Sequence, residues 1–173
     1  IKNQGLATDR HGRLTGFVFV PRDLEASVQH AMLERGLVRV SPRAGDRACA
    51  ASLWAREQRA REALRGLWAH RQDASHSAED PAAVRARRGR LALVEGKVLS
   101  VRESGGTIYV NFGRRWAEDF TVTLARRQER ALAARGLDVR RLEHRTVRVR
   151  GYVEERGGPW IEVTRPEQIE VMR

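Results

Sequence analysis

The chain has 173 residues, 41% of them apolar and 32% charged, with four Trp and four Phe; this is core material for one medium domain or two small ones and too much for a disordered tail. Thirty-three basic against 22 acidic side chains give a net charge of +11, which attracts polyanions such as nucleic acid in a salt-sensitive way; an arginine-rich coding bias would give the same balance, since Lys2 and Lys97 are the only lysines. No run approaches the roughly 18 apolar residues of a bilayer span, so no membrane partner is expected, and the lone Cys49 excludes an intrachain disulfide or a cysteine metal cluster.

The start, Ile1-Lys2-Asn3-Gln4-Gly5, has neither an initiator Met nor the apolar run of a secretory signal, and the chain is expected to begin inside a longer reading frame. Asp9 and Gly12 fit the ends of a type I turn. Leu14 to Val20, rich in β-branched and aromatic residues and stopped by Pro21, predicts a strand. Asp23 as N-cap, with Leu24, Val28, Ala31 and Met32 at helical spacing and Gly36 as the stop, predicts a helix over 24–35. Val38-Arg39-Val40 reads as a short strand. Asp46 then caps a longer helix striped by Cys49, Leu53, Ala60, Leu64 and Leu67 and closed by Gly66 and Trp68.

The polar run His70 to Pro81 lacks any apolar period and predicts a linker, taken as 70–88, between units 1–69 and 89–173. The second unit is mostly strand. Leu91 to Val101 is long, with Gly96 marking a bend. Thr107 to Phe112 and Asp119 to Leu124 follow as strands, Arg127 to Gly136 as a helix, and Thr146 to Val153, Trp160 to Val163 and Ile169 to Val171 as further strands. Three strands, a helix and two strands is the order of a five-stranded OB barrel. The fold class is α+β, mainly β: a partial barrel with two helices, then a second, OB-like barrel with one helix.

The first unit resembles the staphylococcal-nuclease-like (thermonuclease) family. The residues that carry this are the turn Thr8-Asp9-Arg10-His11-Gly12-Arg13, the strand after it, the helix ending in Gly36-Leu37, and Glu57-x-x-Ala60-Arg61 leading to Gly66-Leu67-Trp68. The resemblance covers about residues 6 to 69 and only the later part of the family's domain. It implies that Arg13 contacts the scissile phosphate, where a guanidinium can pair with two oxygens and stabilise the transition-state charge. Asp9 is expected to order the turn, and His11 stands where the family has an aromatic residue near the nucleotide. Arg39 and Arg43 are further candidates for phosphate contact, although Ser41-Pro42-Arg43 occupies a place where aromatic residues often occur in the family. Ca²⁺ is the implied cofactor, but the acidic ligands, the general base and a second Arg belong to strands encoded before the turn, and only Ile1 to Thr8 precede it here. No metal ligand is therefore assigned, the chain as it stands is expected to be inactive, and a second chain or an upstream segment is the expected partner of the apolar faces of Phe17, Phe19, Leu24 and Leu53.

The second unit, Arg90 to Met172, resembles the C-terminal domain of some bacterial members of that family, through Gly96-Lys97-Val98, Ile108 to Gly113, Trp116, Asp119 to Val122, Val147 to Gly151 and Gly158 to Val163. OB barrels bind single strands with aromatic platforms and a basic groove, so Tyr109, Phe112, Trp116, Tyr152, Arg114, Arg115, Arg148 and Arg150 are the candidates, although Phe112, like Phe120, alternates inward as ordinary core. Glu118 and Asp119 could hold a cation or simply face solvent. His11, His30, His70, His76 and His144 lack metal-ligand spacing, and neither a Gly-x-Ser-x-Gly nor a phosphate loop occurs. Three functions stay open: a nuclease acting on DNA or RNA with single strands preferred, a noncatalytic nucleic-acid-binding or scaffold module, and a protein-interaction module.

Overall fold

A computed structural model of the chain describes residues 7–8, 12, 14–20, 23–42, 47–70, 75–134 and 136–172. It forms two units, Ile1–Arg71 and Gln72–Arg173.

In the first unit, β1 (Ala7–Thr8) pairs antiparallel with β2 (Leu14–Thr15). The strand expected over 14–20 is broken after Thr15 and resumes as β3 (Phe19–Val20), which pairs with β4 (Asp23–Ser27). The helix expected from Leu24 starts four residues later, as α1 (Val28–Glu34). Strand pairing claims the backbone of 23–27, and Ser27 rather than Asp23 is the cap: its Oγ accepts from His30 N at 3.3 Å, and His30 Nδ1 accepts from Ser27 N at 3.2 Å. The second helix, α2 (Arg47–Glu62), runs to a single 3₁₀ turn, Gly66–Trp68. Leu33, Val40 and Leu53 form the shared core, flanked by Phe17, Val38 and Trp54.

Val38 to Val40 is not a strand. Instead, Val40 N donates to Oε2 of Glu57 at 2.5 Å, and that carboxylate is only 1% exposed. A buried acceptor on α2 thus does what a neighbouring strand would do for this backbone. Leu14, Val18 and Val20 are exposed to 66%, 56% and 50%, an apolar surface left open beside β2 and β3.

The contact between α1 and α2 contains a titratable group, His30. His30 Nε2 lies 3.0 Å from Ser52 Oγ, Arg56 pairs with Glu34, and the Phe17 ring stacks on the imidazole at 6.1 Å. Burial first, and then the Arg56 guanidinium, hold His30 below the usual histidine value, with Glu34 opposing. The folded unit therefore favours the neutral ring, and the unfolded chain takes up the proton first as pH falls. Stability of the first unit is expected to fall on acidification through the ordinary histidine pKa of about 6.5 and to recover as pH rises. Urea midpoints compared on the two sides of that value check this; His30→Gln should flatten the difference, and an unchanged difference in that variant would assign it to other groups.

The second unit is a closed barrel of bent strands. β6 (Leu91–Lys97) and β7 (Ser100–Ser104) are one strand bent at Val98-Leu99, followed by β8 (Thr107–Asn111) and β9 (Thr121–Ala125) as antiparallel neighbours. After a 3₁₀ turn and α4 (Glu129–Ala133), β10 (Thr146–Tyr152) pairs with β6, and its continuation β11 (Glu154–Arg156) pairs with β12 (Gly158–Glu162). The parallel pairing of β12 with β9 closes the circle, and β13 (Ile169–Val171) adds an edge to β10. Counting each bent strand once, the order is 1-2-3-5-4-1, that of an OB barrel. Its core includes Val94, Val98, Ile108, Val110, Phe120, Val122, Leu124, Val147, Val149 and Ile161.

The segment expected as a linker is partly barrel wall. β5 (His76–Ser77) pairs parallel with β6, and α3 (Pro81–Arg85), capped by Asp80, buries Val84 completely. Ala78 fits against Gly96, where an added Cβ would stand 2.5 Å from the Ala78 methyl. Gly96 therefore permits this close approach, and the strand itself bends after it. Arg140 ties α4 to β7 by pairing with Glu129 at 2.7 Å and with Glu103 at 2.5 Å. The guanidinium's hydrogen bond lowers the Glu103 carboxyl below its usual range.

Candidate nucleic-acid interface

Alternation that points Val101, Ile108, Val110, Val122, Leu124 and Ile161 inward sends their neighbours outward onto one face of β7, β8, β9 and β12. Strand registry orders that face in rows. Arg102 lies opposite Tyr109, Tyr109 opposite Thr123, and Thr123 beside Glu162. The adjoining row is Ser100, Asn111, Thr121 and Trp160. A groove of about 660 Å³ lies over these rows, lined by Arg102, Tyr109, Asn111, Trp116, Thr123, Arg156, Trp160 and Glu162 among others, within the size range of small-ligand sites.

The floor is polar and internally bonded. Asn111 Nδ2 donates to Ser100 Oγ at 3.3 Å, and Trp160 Nε1 donates to Thr123 Oγ1 at 2.6 Å. The walls are aromatic. Trp116 is 73% exposed and Tyr109 36%, while Trp160 is buried with the Arg156 guanidinium over its ring, 3.6 Å from the centroid. Trp116 is carried by the β8–β9 loop, which Asp119 holds: its Oδ2 accepts from Arg115 N at 2.7 Å. An added Cβ on Gly113 would stand 2.0 Å from that same oxygen. Asp119 is thus the loop's clamp and not half of a cation site with Glu118, which pairs with Arg115 at 3.0 Å.

Of the residues expected from sequence, Tyr109 and Trp116 line the groove, and Arg114 and Arg115 lie exposed on the loop beside it. Arg148 and Arg150 do not belong to it; both are on β10, in the other half of the barrel wall. Arg148 is held between Glu95 at 2.7 Å and Glu170 at 3.3 Å, its partners in registry on β6 and β13, and Arg150 is 2% exposed. The charge of Arg148 is used within the fold. In the first unit, Arg39 lies over the Trp68 ring at 5.2 Å. Arg13, His11 and Arg43, with Asp9, lie outside the described residues. Sequence reasoning missed Arg102, Arg156, Trp160 and Glu162. The alternation of β7 and β12 could have placed them on one side of their strands, but not on neighbouring strands.

For Ca²⁺, the donor set does not fit: among the described residues no group of three or more His, Cys, Asp or Glu stands together, and no catalytic step is derived through the ion. No helix among the described residues is long and apolar enough to cross a membrane.

Residues 1–70 match the model of the family described as staphylococcal nuclease homologue. The match is confined to the first unit, and the OB-like barrel lies beyond it. No curated protein matches the chain. Among solved structures, similarity is found to an OBody, AM1L10, bound to hen egg-white lysozyme, at 19% identity over 58% of this chain and 94% of that one, with a TM-score of 0.39. It is also found to the S. pombe Stn1-ten1 complex, at 12% identity over 48% and 58% with a TM-score of 0.36. A third is asparaginyl-tRNA synthetase from Pyrococcus horikoshii, at 18% identity over 60% and 22% with a TM-score of 0.36. These likenesses concern fold alone, and the barrel assignment stands on the strand order given above.

Proposed function

We propose that the chain is the later part of a staphylococcal-nuclease-like phosphodiesterase joined to an OB-like domain that holds single-stranded nucleic acid. The observation that carries this is the family match over residues 1–70. In this reading Arg13 donates to two non-bridging oxygens of the scissile phosphate and stabilises the charge of in-line attack by water. The groove of the second unit stacks bases on Tyr109 and Trp116, and Arg114 and Arg115 supply phosphate contacts at its edge. The acidic ligands and general base that the family resemblance implies are not assigned to residues of this chain. A noncatalytic nucleic-acid-binding or scaffold module is the second reading, supported by the aromatic-walled groove of the second unit.

The test is binding and cleavage of heat-denatured DNA by the purified chain, with Ca²⁺ and with EDTA. Salt-sensitive binding is expected, with Tyr109→Ala and Trp116→Ala each weakening it by about 5- to 100-fold. Ca²⁺-dependent cleavage that is lost in Arg13→Ala would support the nuclease reading in this chain. Binding without cleavage would leave the family match standing and make this chain a nucleic-acid-binding fragment, and no binding would refute both readings.

A further inference from the structure

The row Arg102, Tyr109, Thr123, Glu162 crosses four strands. Neighbouring strands lie about 4.8 Å apart, so a guanidinium and a carboxylate spring from backbones about 14 Å apart, with an aromatic ring and a hydroxyl between them. Both charged side chains are exposed at the edges of the groove, and among the described residues neither has an ion-pair partner. The groove's other charges are engaged: Arg156 on the Trp160 ring and Asp119 on the loop backbone. With two cations against two anions, the groove does not form a phosphate track. Its chemistry suits the base rather than the backbone.

A guanidinium presents adjacent donors and a carboxylate adjacent acceptors. Guanine alone among the bases offers the complement of both: O6 and N7 accept side by side, while N1–H and N2–H donate side by side. Adenine and cytosine set an acceptor beside the amino group, and thymine flanks N3–H with two carbonyls, so each turns a lone pair toward the carboxylate. We propose that this groove selects an unpaired guanine, stacked on Tyr109, with Arg102 donating to O6 and N7 and Glu162 accepting from N1–H and N2–H. The proposal rests on the reading of the groove as a single-strand interface and adds base identity to it.

Fluorescence anisotropy with the full chain tests it, using labelled oligothymidine strands that carry one central guanine, inosine, adenine or cytosine. The guanine strand is expected to bind about tenfold more tightly than plain oligothymidine, and inosine, which lacks the N2 amino group, to lose most of that gain. Glu162→Gln should remove the preference, and Arg102→Gln should weaken binding of the guanine strand by several-fold more than binding of plain oligothymidine. Competition by guanosine monophosphate and not by adenosine monophosphate would extend the support to the free nucleotide; failure of both to compete, with the strand preference intact, would support guanine read within a strand. Equal binding of all strands, or a preference that survives Glu162→Gln, would overturn the guanine assignment and leave the strand interface standing. No binding of any strand would overturn both.

Discussion

Phe120→Ala is expected to destabilise the second unit by about 3–5 kcal/mol, the usual cost of emptying a buried aromatic site. Phe120 is fully buried, its ring centroid lies 5.0 Å from that of Phe112 at a tilt of 42°, and its carbonyl accepts from Phe112 N at 3.3 Å. A closed barrel of this size cannot collapse into the space, because the strands on each side are fixed by their ladders. Against the roughly 5–15 kcal/mol that holds a typical domain together, the loss takes a large share. The effect reaches the groove as well, because Phe120 follows Asp119, whose carboxylate clamps the loop that carries Trp116. Urea unfolding followed by tryptophan fluorescence should show a lower midpoint for the second unit alone, and strand binding should weaken with it. Phe120→Leu should recover most of the stability. A shift of less than about 1 kcal/mol in Phe120→Ala would mean that the barrel is looser here than its burial indicates.

The barrel was legible because β8 and β10 alternate apolar and polar residues and the turns are marked by Ser104-Gly105-Gly106 and Arg156-Gly157-Gly158. What misled was length. β5 has only two residues and α3 only five, so neither carries a period, and residues 76–85 read as linker although Ala78 and Val84 are buried. The start of α1 was misplaced for a different reason. Leu24 fits the apolar spacing of the helix, but pairing with β3 takes precedence over spacing, and Ser27 is the better cap.

The site divides along the same line. Tyr109 and Trp116 could be singled out because each is an aromatic residue next to a turn. Arg102 and Glu162 could not, since only the closing parallel pair of β9 and β12 brings Glu162 into the row of Tyr109. Conversely, Arg148 looked like a groove cation because alternation alone does not reveal that Glu95 and Glu170 flank it in registry. The Glu57-x-x-Ala60-Arg61 pattern, read as a family signature, has a local physical cause. Glu57 satisfies Val40 N, Ala60 is fully buried, and Arg61 lies 5.7 Å from the Trp68 ring centroid.

The first unit depends on a contact between two glycines, and Gly36→Ala should break it. Gly36 ends α1 at φ +69°, with its N–H donating to Leu33 O and that of Leu37 to Met32 O, both at 2.9 Å, the paired bonds of a Schellman cap. Its own carbonyl accepts from Leu67 N at 2.9 Å, and Gly66 stands against it at φ +53°. An alanine Cβ at Gly36 would lie 2.1 Å from the Arg65 carbonyl oxygen and 3.2 Å from Trp68 Cδ1. The left-handed conformation costs about 1–2 kcal/mol for a residue with a Cβ, and forcing the two backbones apart adds about 1–3 kcal/mol. Gly12→Ala separates these effects: its φ of +73° is similar, but an added Cβ there meets nothing within 4 Å. The expected result is a first unit that melts well before the second in Gly36→Ala, with loss of helical circular dichroism, and a loss in Gly12→Ala confined to the conformational part. Equal losses in the two variants would show that the helix end and the 3₁₀ turn are not locked by this approach, and that the stability of α1 comes from its contact with α2 through Leu33 and Leu53.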